Sequence, residues 1–244
     1  MINRSARNSG LIVLARFISD FGAFLNMVAL STYVYILSQS VMHVSIFLAC
    51  RVTGGILASV FGVPFFRRFT GRLSLVSFDV IRAALLAMLL IFPSSVQLYI
   101  LPFIALGIGI GNSMFAIGLN SQLPWWVDES RRVATNAWLT SASATGAVTG
   151  SMVSGILLAA SGYELVFVTN ILTYLLAGLC ILPLRFLITP AANELKSQRK
   201  EWSNLVKGLR VAPLMAGMLL VTMADTLGSA AHNVGFPIIS ELLT

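Results

Sequence analysis

The residues most able to do chemistry in this sequence are a few ionisable side chains that interrupt long apolar runs. In the first run, LIVLARFISDFGAFLNMVALSTYVYIL, Arg16 precedes Asp20 by four residues, so a helix would place both on one face. One interpretation is structural, because an ion pair reduces the cost of two charges near the end of a membrane span. The other is functional. Asp20 lies roughly 6 Å from the middle of the run, deep enough to face a water-filled path and exchange a proton.

Three other ionisable residues also interrupt apolar runs: Arg51, Asp225 and His232. Arg51 lies near the middle of the second run, in FLACRVTGGILAS, with no acid in its own helix. We expect Asp20, Asp225 or an anionic group of a bound solute to pair with it; otherwise it reaches a water-filled cavity without a specific role. Asp225 and His232 are two helical turns apart and share nearly the same face. Histidine titrates near neutral pH, so this pair could relay protons, or His232 could simply bond a backbone carbonyl.

The elements that must position these residues are membrane-spanning helices. Hydrophobic residues make up 57% of the chain and charged residues 10%, with a mean hydropathy of +0.87. A soluble domain has about 25% charged residues. Helices of about 20 apolar residues cross a bilayer, and seven runs are long enough to do so: 11–37, 44–66, 73–93, 98–120, 135–161, 164–187 and 212–243.

The basic residues that give the net charge of +7 lie mainly in the loops. Their positions predict membrane orientation and do not indicate a nucleic-acid partner. Lys and Arg fall at the N-terminus and in every second loop, whereas the intervening loops SQSVMH, SSVQ and SGY contain neither. The positive-inside rule therefore predicts a cytoplasmic N-terminus. The longest loop has apolar residues spaced to share one helix face, which predicts a basic amphipathic helix at the membrane surface or, alternatively, a solvated linker.

We predict an all-α membrane protein, a polytopic transmembrane helix bundle. Its regions are a six-helix bundle over 1–187, a cytoplasmic basic amphipathic linker over 188–211 and a seventh transmembrane helix over 212–244. Cys50 and Cys180 lie in apolar runs and resemble small hydrophobes. The sequence contains no metal-ligand spacing, no nucleophile with a base and no nucleotide-binding motif, so we predict no enzyme activity, no metal and no cofactor.

Several motifs resemble the major facilitator superfamily. The segment GVPFFRRFTGRLSLVSFDVIRA is similar to the signature G-x-L-a-D-R-x-x-R-R in the loop between the second and third spans, with matches at Gly62, Arg67 and Arg72. Asp79 and Arg82 resemble the D-x-x-R-A found a turn into the third span in the branch of bacterial macrolide-efflux-like and siderophore (enterobactin-type) exporters. The segments LSTYVYILSQS, LPWWVDESRRVATNAW, FVTNILTYLLAG and LVKGLRVAPLMAG are similar to the same branch.

Two positions depart from the family pattern. Phe66 stands where the loop signature has an acid, and Ala147 stands where antiporter members have a proline in the fifth span. The first change removes a charge contact on the cytoplasmic side, and the second removes a kink.

The resemblance implies a multi-pass secondary transporter of a bacterial inner membrane, built from two six-span halves. The chain resembles the first half and the start of the second, so a second half or a second copy is an expected partner. The implied activity is proton-coupled export of a small amphipathic solute such as a drug, a macrolide or a siderophore. Polar residues that could line the path, or instead join helices, are Asn26, Asn112, Asn120 and Asn170.

Two other functions fit the same sequence. A truncated half could act as a membrane interaction subunit without transport activity of its own. A homodimeric carrier could use two copies of the chain in place of two halves, although an odd number of spans argues against it.

Overall fold

The computed structural model describes residues 2–187, together with positions 217 and 221, and this part of the chain is built from long helices. Each is long and apolar enough to cross a membrane. The prediction of an all-α helix bundle is confirmed. The predicted linker and seventh span lie outside the described residues, apart from those two positions. The helices are α1 (Ile2–Ser38), α2 (Val41–Arg68), α3 (Arg72–Ile91), α4 (Ser94–Trp126) and α5 (Glu129–Ile181).

Helix α5 is a pair of membrane-crossing arms. Its 53 residues would extend about 80 Å as one helix, more than twice the hydrocarbon thickness. The backbone breaks at Gly162, where φ is 75° and ψ is −169°, a conformation that only glycine adopts readily. The arms, residues 129–161 and 163–181, correspond to two of the predicted spans, so the described bundle has six crossing segments.

Helix α1 begins well before the apolar run that predicted it. The polar side chains of its first turns are buried against the end of α4, where Asn8 Nδ2 donates to the carbonyls of Trp126 and Arg185, each at 3.0 Å. Ser5 Oγ accepts from the backbone N–H of Asp128 at 3.0 Å. The basic segment that precedes the first apolar run is therefore the first part of helix α1.

The signature expected in a loop is largely helical. Gly62 and Arg67 lie in α2 and Arg72 is the first residue of α3, so the connection consists of residues 69–71 alone. Arg72 Nη1 donates to the carbonyl of Leu182 at 2.7 Å. Since the last carbonyls of a helix have no partner within it, this arginine satisfies the end of α5.

Small residues let α1 and the first arm of α5 pack backbone to backbone. A Cβ at Gly150 would overlap the carbonyl oxygen of Phe21, and one at Gly146 would lie 2.8 Å from another carbonyl oxygen of α1. Ser154 Oγ donates to the carbonyl of Leu25 at 2.9 Å. Close approach at small residues, with hydroxyls bonding across the interface, is the usual way that membrane helices associate.

The outer faces of the bundle are apolar. Phe103 is 73% exposed and Val148 70%, while side chains such as Leu25, Leu86 and Tyr174 are completely buried between helices. Exposed apolar surface of this extent suits a lipid environment, because lipid replaces water around it. Several polar residues of the spans, among them Ser19, Asn26 and Asp79, are buried inside the bundle.

Candidate functional site

Polar side chains from all five helices meet in the interior of the bundle, and we call this group the central polar cluster. It contains two ion pairs, one further arginine and several neutral hydrogen-bonding groups. Its members are Arg16, Ser19, Asp20, Arg51, Asp79, Arg82, Asn112, Ser143 and Tyr174.

The deepest part of the cluster is an ion pair within α3. Asp79 and Arg82 are three residues apart, on one face of the helix, and Nη2 of the arginine donates to Oδ1 of the aspartate. Their side chains are 0% and 1% exposed. Charges at this depth are tolerated only when they are paired and hydrogen-bonded, so each residue depends on the other.

Arg82 also joins α3 to three other helical segments. Its Nη1 donates to Ser19 Oγ of α1 at 3.1 Å and to Asn112 Oδ1 of α4 at 2.7 Å. The guanidinium carbon lies 4.2 Å from the ring centroid of Tyr174 in α5 and 5.0 Å from that of Phe115 in α4. Both rings are close enough for cation–π attraction. Arg82 is the centre of a four-way junction.

The second ion pair is more open. Arg16 Nε and Asp20 Oδ2 are 2.7 Å apart, as the four-residue spacing predicts, and their side chains are 21% and 15% exposed. Arg16 Nη2 also donates to Ser143 Oγ at 3.3 Å. Arg82 donates to Ser19, the residue that precedes Asp20, so the two ion pairs lie close together. The two ion pairs therefore belong to one electrostatic system, with one member sealed and the other accessible.

Arg51 has no acidic partner in the described part of the chain. Its Nη2 donates to the carbonyl of Ala23 at 3.0 Å, and its Nη1 is buried without a hydrogen bond. Of the three partners considered for Arg51, Asp20 does not pair with it in this structure, because that carboxylate pairs with Arg16 on its own helix. The other expected partner, Asp225, lies outside the described residues, as does His232.

The asparagines predicted to line a path have different environments. Asn112 is half-buried and joins α4 to α3 through its bond to the arginine junction, whereas Asn120 is exposed. Asn26 is completely buried, and neither of its amide atoms has a hydrogen-bond partner. Asn170 is also buried; its Oδ1 accepts from Thr173 Oγ1 at 3.3 Å and its Nδ2 has no partner.

From the sequence, Asp79 and Arg82 were assigned only to a motif, and Ser19, Ser143 and Tyr174 were not predicted. A signal for the first pair was present, since an acid and a base three residues apart near the middle of an apolar run predict a buried ion pair. Nothing in the sequence distinguishes Ser143 or Tyr174 from other polar residues of the spans. Within residues 2–187, no group of three or more His, Cys, Asp and Glu side chains is placed to bind a metal.

A family model described as the Major Facilitator Superfamily matches residues 12–241. The chain belongs to this superfamily. No curated protein matches it. Superfamily members are transporters of small molecules and not enzymes. Residues 2–187 contain five helices long and apolar enough to span a bilayer, and this major facilitator protein is a multi-pass membrane protein.

Proposed function

We propose that this major facilitator protein exports a small amphipathic solute in exchange for protons. The observation that carries the proposal is the accessible ion pair between Arg16 and Asp20 inside a membrane-spanning helix. A carboxylate inside a transport protein is costly to keep, and such groups commonly carry protons. Arg16 stabilises the charged form of the Asp20 carboxylate and so favours release of a proton, while the 15% exposure of the Asp20 side chain gives a proton access to it.

The contrast between the two ion pairs supports this assignment. Asp79 is sealed and held by a junction of four helical segments, so a change in its protonation would disrupt the bundle. We expect protonation of Asp20 to cost less, because its partner Arg16 is 21% exposed and has a second hydrogen-bond partner in Ser143. In the proposed cycle, protonation of Asp20 releases the ion pair, and loss of the proton restores it.

The direction and location of transport are part of the same proposal. The alternation of basic and uncharged loops supports a cytoplasmic N-terminus, and the resemblance to bacterial exporters supports a location in a bacterial inner membrane. The motifs shared with macrolide-efflux-like and siderophore exporters support outward movement of a drug-like or siderophore-like solute. A second six-span half, or a second copy, would complete the route.

The test is solute accumulation in inside-out vesicles that contain the full gene product. We expect a protonophore to stop accumulation in wild type, and Asp20→Asn to abolish the protonophore-sensitive part without lowering the amount of inserted protein. Asp128→Asn is the matched control, because this aspartate precedes α5 and makes no capping side-chain bond. Protonophore-sensitive accumulation by Asp20→Asn would refute the role of Asp20. No accumulation by wild type would favour the non-transporting subunit.

A further inference from the structure

The central polar cluster carries an unbalanced positive charge. Asp20 is paired with Arg16 and Asp79 with Arg82. Arg51 remains, and among the described residues no acid contacts it. Three arginines therefore share two aspartates in the interior of the six crossing segments.

Arg51 is held firmly in place. A Cβ at Gly109 would overlap the carbonyl oxygen of Arg51, so the backbones of α2 and α4 touch at this level. The side chain then reaches α1, where Nη2 donates to the carbonyl of Ala23 at 3.0 Å. One arm of the guanidinium is fixed and the other, Nη1, is buried with its hydrogen-bonding capacity unused.

A neutral carbonyl cannot balance this charge. Arginine remains protonated in proteins, and an unpaired charge removed from water is among the costliest arrangements in a fold. A guanidinium with one free arm is suited to an oxyanion such as a carboxylate, sulfonate or phosphate, to which it donates charge-assisted hydrogen bonds. An anion arriving with the solute would supply both the missing charge and the missing bond.

We propose that Arg51 binds an anionic group of the transported solute, so that the substrates of this protein are amphipathic anions. The inference rests on the proposed transport function and specifies its substrate class. The free Nη1 of Arg51 is a geometric observation that does not depend on which residue carries protons. The competing arrangement is a fixed acid that pairs with Arg51, for which Asp225 is the candidate in the sequence.

Two dyes that differ by one sulfonate provide the probe. 8-Anilinonaphthalene-1-sulfonate is anionic, and N-phenyl-1-naphthylamine has the same ring system without the charge. Binding of each to the full-length protein in lipid nanodiscs is measured by equilibrium dialysis against empty nanodiscs. We expect the sulfonate to bind at least about 10-fold more tightly, as loss of a hydrogen bond to a charged group implies.

Substitutions at Arg51 make the test specific. Arg51→Gln should remove the preference for the sulfonate and leave binding of the neutral dye unchanged. Arg51→Lys keeps the charge but loses the planar, two-armed guanidinium, so it should retain part of the preference. This variant also controls for a folding defect in Arg51→Gln. Arg68→Gln is the matched control, because Arg68 is an exposed arginine at the end of the same helix, and it should keep the full preference.

Equal binding of the two dyes by wild type, including no binding of either, would overturn the proposal. So would a sulfonate preference that survives in Arg51→Gln. If Asp225 neutralises Arg51, wild type will show no preference and Asp225→Asn will create one, which also overturns it. The measurement uses no gradient, so a failure of proton coupling alone would leave the preference for anions intact and would refute only the proposed exchange with protons.

Discussion

Replacing Asp79 by Asn removes one charge from the sealed ion pair and leaves the other in place. The isosteric amide preserves the shape of the site, and its oxygen can still accept from Arg82. The change is therefore in charge and not in packing. We expect the free energy of unfolding to fall, because the remaining guanidinium lies buried without a counter-ion.

The size of the loss follows from the contacts of Arg82. Breaking a buried pair by removing one partner costs about 3–5 kcal/mol. Arg82 keeps its bonds to Ser19 and Asn112 and its two aromatic contacts, which hold it in position, so we expect the lower end, about 3 kcal/mol. In the double variant Asp79→Asn/Arg82→Gln no charge is stranded. Its loss should be smaller than the sum of the single losses by about 2 kcal/mol, within the usual range of coupling between contacting residues.

The assay is reversible unfolding in mixed micelles with increasing sodium dodecyl sulfate, followed by circular dichroism. Ser77→Ala, at an exposed position of the same helix, is the control and should stay within about 0.5 kcal/mol of wild type. Two results would refute the reasoning: an Asp79→Asn variant as stable as that control, or single losses that simply add in the double variant.

Three further outcomes can be checked on the same protein. Gly109→Ala should lower the free energy of unfolding by about 1–3 kcal/mol, because the added methyl group would overlap the backbone of α2. Gly155→Ala, which has open space around it, should raise that free energy by up to about 1 kcal/mol. Equal effects of the two substitutions would contradict the close approach of α2 and α4. Gly162→Ala should cost about 1–3 kcal/mol in the same assay, since alanine strains at φ 75°, and an unchanged stability would argue against the break. In a variant without the native cysteines, an impermeant maleimide should label Ser130→Cys only from the cytoplasm and Ser95→Cys only from outside; the reverse would invert the proposed topology.

Within residues 2–187, hydropathy was sufficient to predict the segments that form helices long and apolar enough to cross a membrane. Bilayer thickness limits the length of a span, so a 53-residue helix must be interrupted. The break at Gly162 falls between two of the predicted runs. Hydropathy did not predict that Asn8, near the N-terminus, would be buried, because its partners are carbonyls contributed by distant parts of the chain.

The partners inside the bundle were harder to predict than the spans. The pair of Arg16 with Asp20 is local and follows from spacing along one helix. The contacts of Arg82 with Ser19 and Asn112 depend on how three helices are rotated against one another. Side-chain packing between helices determines that rotation, and a single sequence gives little information about such packing. The same limit explains why the sequence left Asp20 among the candidate partners of Arg51.

The close packing of α1 on the first arm of α5 has a consequence for how the protein moves. Phe21 faces Gly150 with no side chain between the two backbones, and Leu25 is tied to Ser154, so neither helix can slide without lifting away from the other. We therefore expect α1 and the first arm of α5 to move as one rigid unit. Arg16 bridges Asp20 of α1 and Ser143 of α5, so we expect this group of three side chains to stay together when the two helices move.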